Sequence, residues 1–76
     1  MEKTIAYTEE KRRLGLRIAA LRMERGLSQR SLAASLGLDR PTLNSIESGT
    51  GNPTFETLCR IAEGLGTEVS KLFGEI

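Results

Sequence analysis

Arg40, Thr42, Asn44 and Ser45 crowd one short stretch in the middle of the chain, with Gln29 one segment upstream. Their chemistry is directional hydrogen bonding. A guanidinium grips two acceptors side by side, a carboxamide offers a donor and an acceptor, and a hydroxyl offers either. Set along one helix face with a basic flank, such groups suit the base edges of a major groove and its phosphates. Covalent chemistry is poorly served. There is no histidine and only one cysteine, Cys59, which removes the usual zinc and haem ligand sets. No glycine loop cradles a phosphate, no nucleophile has a base beside it, and the carboxylates are scattered among helix caps and outward faces. The chain does not read as an enzyme, and neither a metal nor a cofactor is implied.

Glycines and capping residues divide the chain into five helical segments that would hold these groups. Residues 1–7 read as a loose arm and residues 8–76 as one domain. Thr8 is placed to cap the first helix, with Glu9 and Glu10 in its first turn, where negative charge suits the dipole. Leu14, Ile18 and Leu21 form its apolar stripe, and Gly26 ends it. Leu16, Ala20 and Met23 make a second stripe, either a further core face or an interface, while Tyr7 reads as a packing residue. Ser28 caps the second helix, with Leu32, Ala33 and Leu36 inward, and Gly37 stops it. Asp39 caps the third, over 39–48, with Pro41 in the first turn, where a missing N–H costs least, and Leu43 and Ile46 inward. Ser48 to Pro53 is a polar loop. Thr54 caps the fourth helix, with Phe55, Leu58, Ala62 and Leu65 inward and Cys59 as a buried structural thiol. Gly66 ends that helix, and Thr67 caps a short fifth with Val69, Leu72 and Phe73 inward. No run alternates with period two. The expected fold is all-α, a compact five-helix bundle.

Seventy-six residues make one domain that buries about 60% of its unfolded surface. Net charge is only +1, yet its distribution is uneven. Residues 1–10 sum to −2, residues 11–40 to +6 and residues 41–76 to −3. The basic portion is an electrostatic footprint for phosphate, or else a solvated arginine face. No apolar run is long enough for a membrane span, the N-terminus does not read as a signal peptide, and a lone cysteine fits a reducing compartment. A cytoplasmic protein is expected.

From Gln29 to Ile46 the chain reads QRSLAASLGLDRPTLNSI. Ala33 is small enough for a close helix crossing, and Gly37 suits a turn that needs positive φ. Together with LRMERGLSQRSLAASLGL, LNSIESG, NPTFETLCRIAEGLG and the closing Val69, Leu72 and Phe73, this ordered series resembles the phage-repressor and Cro-like, or XRE-type, helix-turn-helix family. The resemblance runs from Leu14 to Phe73. It implies a lambda-repressor-like DNA-binding domain whose third helix reads bases through Arg40, Pro41, Asn44 and Ser45. It also implies phosphate contacts from Gln29, Arg30, Thr42, Thr50 and Asn52, and a structural pair, Arg22 with Glu47. Arg40 either grips guanine O6 and N7, touches a phosphate or is simply solvated, and Gln29 either meets a phosphate or is simply hydrated at the helix start. Arg40 and Pro41 depart from the glutamine and serine common in the family. Pro41 offers only apolar contact, as to a thymine methyl, so no relative's operator transfers.

One recognition helix covers too few base pairs to specify a genomic site, and such regulators commonly pair about a two-fold axis. The implied partners are therefore double-stranded DNA and a second copy of the chain. The C-terminal region, with Phe55, Leu65, Phe73 and Ile76, is the candidate dimer surface. Two alternatives stand beside a repressor or controller. One is an antitoxin-type regulator that also binds a toxin protein, and the other a protein-interaction module without DNA binding.

Overall fold

The computed structural model describes residues 7–74. Four α-helices follow one another: α1 (Thr8–Glu24), α2 (Gln29–Leu36), α3 (Arg40–Ser48) and α4 (Phe55–Gly64). The fifth expected helix is a single 3-10 segment, Val69–Phe73, and no strand occurs among the described residues. Five residues before Gly74 are too few to propagate an α-helix, and the tighter 3-10 winding is used in such short pieces. Its last turn is held from outside, because the Arg17 guanidinium donates to the Lys71 carbonyl at 3.0 Å.

Three caps lie where the sequence places them. The Ser28 hydroxyl accepts from the backbone N–H of Ser31, Asp39 from that of Thr42 and Thr54 from that of Thr57. Each satisfies an N–H that the helix itself leaves without a partner. Two other caps differ from expectation. Thr8 is already helical, and the residue before α1 is Tyr7, exposed and left-handed at φ 53°, with no side-chain cap bond. Glu9 and Glu10 supply the negative charge at that end instead. Thr67 gives way to Glu68 at the start of the 3-10 segment, where no side-chain cap forms.

Helix α1 packs on α3, α2 on both α3 and α4, and the 3-10 segment closes the bundle against α1 and α4. Every element sends at least one side chain into a single core. Ile18, Leu32, Leu43, Ile61 and Leu72 are fully buried, one from each. Leu65, expected on a dimer surface, is only 2% exposed and belongs to this core. The opposite correction applies to Phe55 and Phe73, placed inward from sequence but 67% and 60% exposed. Leu16 and Met23 of the second α1 stripe are exposed as well. Cys59 is free and half-buried rather than buried. Ile76 and residues 1–6 of the expected arm lie outside the described residues.

The sequence passes over one feature of the α1–α3 contact. Gly15 is buried, and a Cβ built there would collide with the Glu47 carbonyl oxygen and lie 2.6 Å from that of Ile46. The two backbones touch, and only glycine lets them.

Candidate nucleic-acid interface

Helices α2 and α3 are joined by a turn at Gly37, whose φ of 72° is the left-handed conformation that glycine adopts without penalty. The Leu38 N–H donates to the Ala33 carbonyl at 2.9 Å, which closes the turn. Ala33 is 2% exposed where the pair meets the core. Leu43 and Ile46 anchor α3 from beneath, which leaves its outer face polar. Arg40, Pro41, Thr42 and Asn44 are exposed, and Ser45 is half-buried.

This face is fastened from below by a polar cluster. Arg22 forks onto Glu47, Nε to Oε2 at 2.8 Å and Nη2 to Oε1 at 3.1 Å, and its Nη1 donates to the Leu27 carbonyl at 2.7 Å. Glu47 is 8% exposed. The Gln29 amide nitrogen donates to Glu47 Oε1 at 2.9 Å and to Asn44 Oδ1 at 3.2 Å. One carboxylate therefore ties together α1, the α1–α2 turn, the start of α2 and the outer side of α3. Buried charges need such complete hydrogen bonding, and no buried side-chain nitrogen or oxygen among the described residues lacks a partner.

The other site residues are placed as follows. The Ser45 hydroxyl donates back to the Thr42 carbonyl at 2.8 Å. The loop after α3 folds onto the Ser45 carbonyl, which accepts from the N–H groups of Thr50 and Gly51, each at 3.0 Å. Thr50 and Asn52 are exposed on that loop. Gln29 is half-buried, with its side chain turned toward α3 rather than outward.

Much of the basic character of residues 11–40 is used within the protein. Arg12 and Arg13 pair with Glu9, Arg22 with Glu47 and Arg25 with Glu24. Arg17 and Arg25 also donate to the carbonyls of Lys71 and Leu65, near the ends of distant helices. Lys11, Arg30 and Arg40 form no ion pair among the described residues. Arg30 and Arg40 stand at the starts of α2 and α3, where the helix dipoles also favour anions.

The Asp39 carboxyl lies below the usual carboxylate range. Hydrogen bonding from the Thr42 side chain lowers it first, and bonding from the Thr42 backbone N–H, at 2.8 Å, lowers it further. A depressed folded pKa stabilises the fold above the ordinary value of 3.8, and that contribution disappears as pH falls through the lowered one. D39N keeps an amide cap but does not titrate. Acid titrations followed by circular dichroism are expected to show wild type losing stability relative to D39N below about pH 4. Parallel curves would remove the role assigned to the ionised cap.

The sequence profile of the Helix-turn-helix family matches residues 18–72, which takes in the core, both helices of the motif and the closing segment. The chain belongs to that family. It is a DNA-binding transcriptional regulator of the helix-turn-helix, XRE type. The control protein C.MunI of a Mycoplasma species is 43% identical over 65 residues, which span 84% of this chain and 88% of that protein. The immunity repressor of Bacillus phage phi105 is 44% identical over 62 residues, 82% of this chain but 43% of the phage protein. The fold is similar to that of the restriction-modification controller protein C.AhdI from Aeromonas hydrophila, with a TM-score of 0.84 and 34% identity over 86% of this chain and 98% of that one. No helix among the described residues is long and apolar enough to cross a membrane.

Proposed function

We propose that this regulator binds double-stranded DNA sequence-specifically as a homodimer in the cytoplasm, with α3 in the major groove and residues 8–76 as its DNA-binding unit. The observation that carries the reading is α3 itself. Its inner side is fixed by Leu43, Ile46 and Glu47, and its outer side exposes the Asn44 amide, whose N–H donors have no partner among the described residues, beside Arg40, which forms no ion pair there. Arg40, Pro41, Asn44 and Ser45 face bases in this reading. Arg30, Thr42, Thr50 and Asn52 meet phosphates, as does Gln29 through its backbone N–H, because both hydrogens of its amide nitrogen are engaged by Glu47 and Asn44. Among the described residues, exposed Phe55 and Phe73 are the remaining candidates for the dimer surface. Occupancy of a promoter by such a dimer would block or recruit polymerase, as a repressor or controller does.

Selection of bound fragments from a random duplex pool tests the reading. An inverted repeat is expected, with half-site centres about 34 Å apart. A single unrepeated site, or sedimentation as a monomer with and without the selected duplex, would remove the dimer. R40A is expected to cost about 1–3 kcal/mol on the selected site and to relax preference at one base pair. Equal losses on selected and random DNA would reassign Arg40 to a phosphate.

A further inference from the structure

A carboxamide is ordinarily ambivalent, since half a turn about its last bond exchanges oxygen for nitrogen. For Asn44 that ambivalence is removed by a chain of bonds that starts in the interior. The Arg22 guanidinium carries only donors, and its fork turns both oxygens of the buried Glu47 into acceptors. An acceptor 2.9 Å from the Gln29 amide must be met by N–H, so Nε2 faces Glu47. The second hydrogen on the same nitrogen points at Asn44, 3.2 Å away, so the Asn44 atom there must be the oxygen. Turning either amide over would set two acceptors or two donors against each other. The Asn44 nitrogen is thereby placed on the opposite edge, and neither of its hydrogens has a partner among the described residues.

We infer that Gln29 is a positioning residue and Asn44 a specificity-determining one: the relay from Arg22 through Glu47 and Gln29 makes Asn44 present N–H donors to the groove. This rests on the DNA-binding reading above. An outward pair of donors selects a base edge that supplies acceptors. Guanine offers two, N7 and O6, thymine offers O4, and cytosine offers only its N4 amino donor. The paired donor and acceptor of adenine call for the amide oxygen, which is turned toward Gln29. Asn44 therefore selects guanine first and rejects cytosine. In N44D one carboxylate oxygen still accepts from Gln29 while the other replaces the outward nitrogen, so the preferred partner becomes cytosine.

Selection from a pool randomised across the half-site tests this with wild type, N44A, N44D and Q29A. N44A identifies the base pair by flattening it. At that pair wild type is expected to favour guanine over cytosine about tenfold, and N44D to reverse the order. Q29A is expected to flatten this pair while leaving the Arg40-dependent pair sharp, which a purely structural Gln29 would not do. N44D lowers affinity for all DNA by added negative charge, so only the ranking of bases is read. It changes an exposed side chain and decides the matter even where Q29A loosens the bundle. An adenine preference in wild type, an unchanged ranking in N44D or an undiminished preference in Q29A would overturn the relay with the operator reading intact. Failure of wild type to retain any duplex at low salt would overturn both.

Discussion

G15A is expected to destabilise the fold by about 3 kcal/mol, the upper end of the usual cost of overpacking. The added methyl would lie 2.6 Å from the Ile46 carbonyl oxygen and 2.7 Å from the Glu47 carbonyl carbon. Backbone carries both contacts, so no rotamer change relieves them, and α1 and α3 must move apart. A domain of this size has a total stability of roughly 4–11 kcal/mol, so the loss is a large share of the whole. The melting temperature should fall by more than about 10 °C. Because α3 carries the candidate reading face, affinity for the selected duplex should fall with it. G64A is the control. A methyl there meets the end of the Leu36 side chain at 2.8 Å, which can shift, and alanine favours a helix by up to about 1 kcal/mol over glycine. It should melt close to wild type. A G15A protein that melted as G64A does would mean that α1 and α3 do not approach so closely.

The second large effect is expected at Glu47. E47L removes the acceptor of the Arg22 fork and of Gln29 together and leaves a guanidinium whose side chain is 12% exposed. Breaking a buried pair by removing one partner costs about 3–5 kcal/mol. The double variant R22M/E47L removes the stranded charge and, with apolar groups of similar size, should recover most of that loss in denaturant titrations. It should not recover base discrimination, because nothing then orients Gln29. Recovery of both would make the ion pair a packing device alone. The contrasting case is E9A, since the Glu9–Arg12 pair is more than half exposed, and such surface pairs contribute at most about 1 kcal/mol.

The helical segments and most of their ends were legible because they depend on nearest neighbours. Ser28, Asp39 and Thr54 each precede an apolar period and each caps. What escaped depends on chain ends and carbonyls far away in sequence. The first helix reads as a stripe of Leu14, Ile18 and Leu21, and nothing in that spacing marks the glycine between them as the point where another backbone arrives. Arginines 17 and 25 look like phosphate ligands until they are seen to donate to helix-end carbonyls 54 and 40 residues away. Phe55 and Phe73 were placed inward by type at the ends of short segments, where one position of slip turns a side chain from core to solvent. At the candidate site, the Arg22–Glu47 pair was legible only through the family resemblance. The inward turn of Gln29 was not legible at all, because it follows from an acceptor on another helix.

Arg40 and Pro41 stand apart from the bonding cluster that holds Asn44. Neither contributes to the core or to the Arg22–Glu47–Gln29 chain, so exchanging either leaves the fold's stability nearly untouched. Under the proposed reading, in which both face bases, a lineage carrying this domain can therefore drift to a new operator by single substitutions at those two positions, without passing through an unfolded intermediate. At Asn44 the same drift is obstructed, because a replacement must also satisfy Gln29. Duplicated copies of such a regulator would then diverge first in the base pairs proposed for residues 40 and 41, and keep the base pair proposed for Asn44 longest.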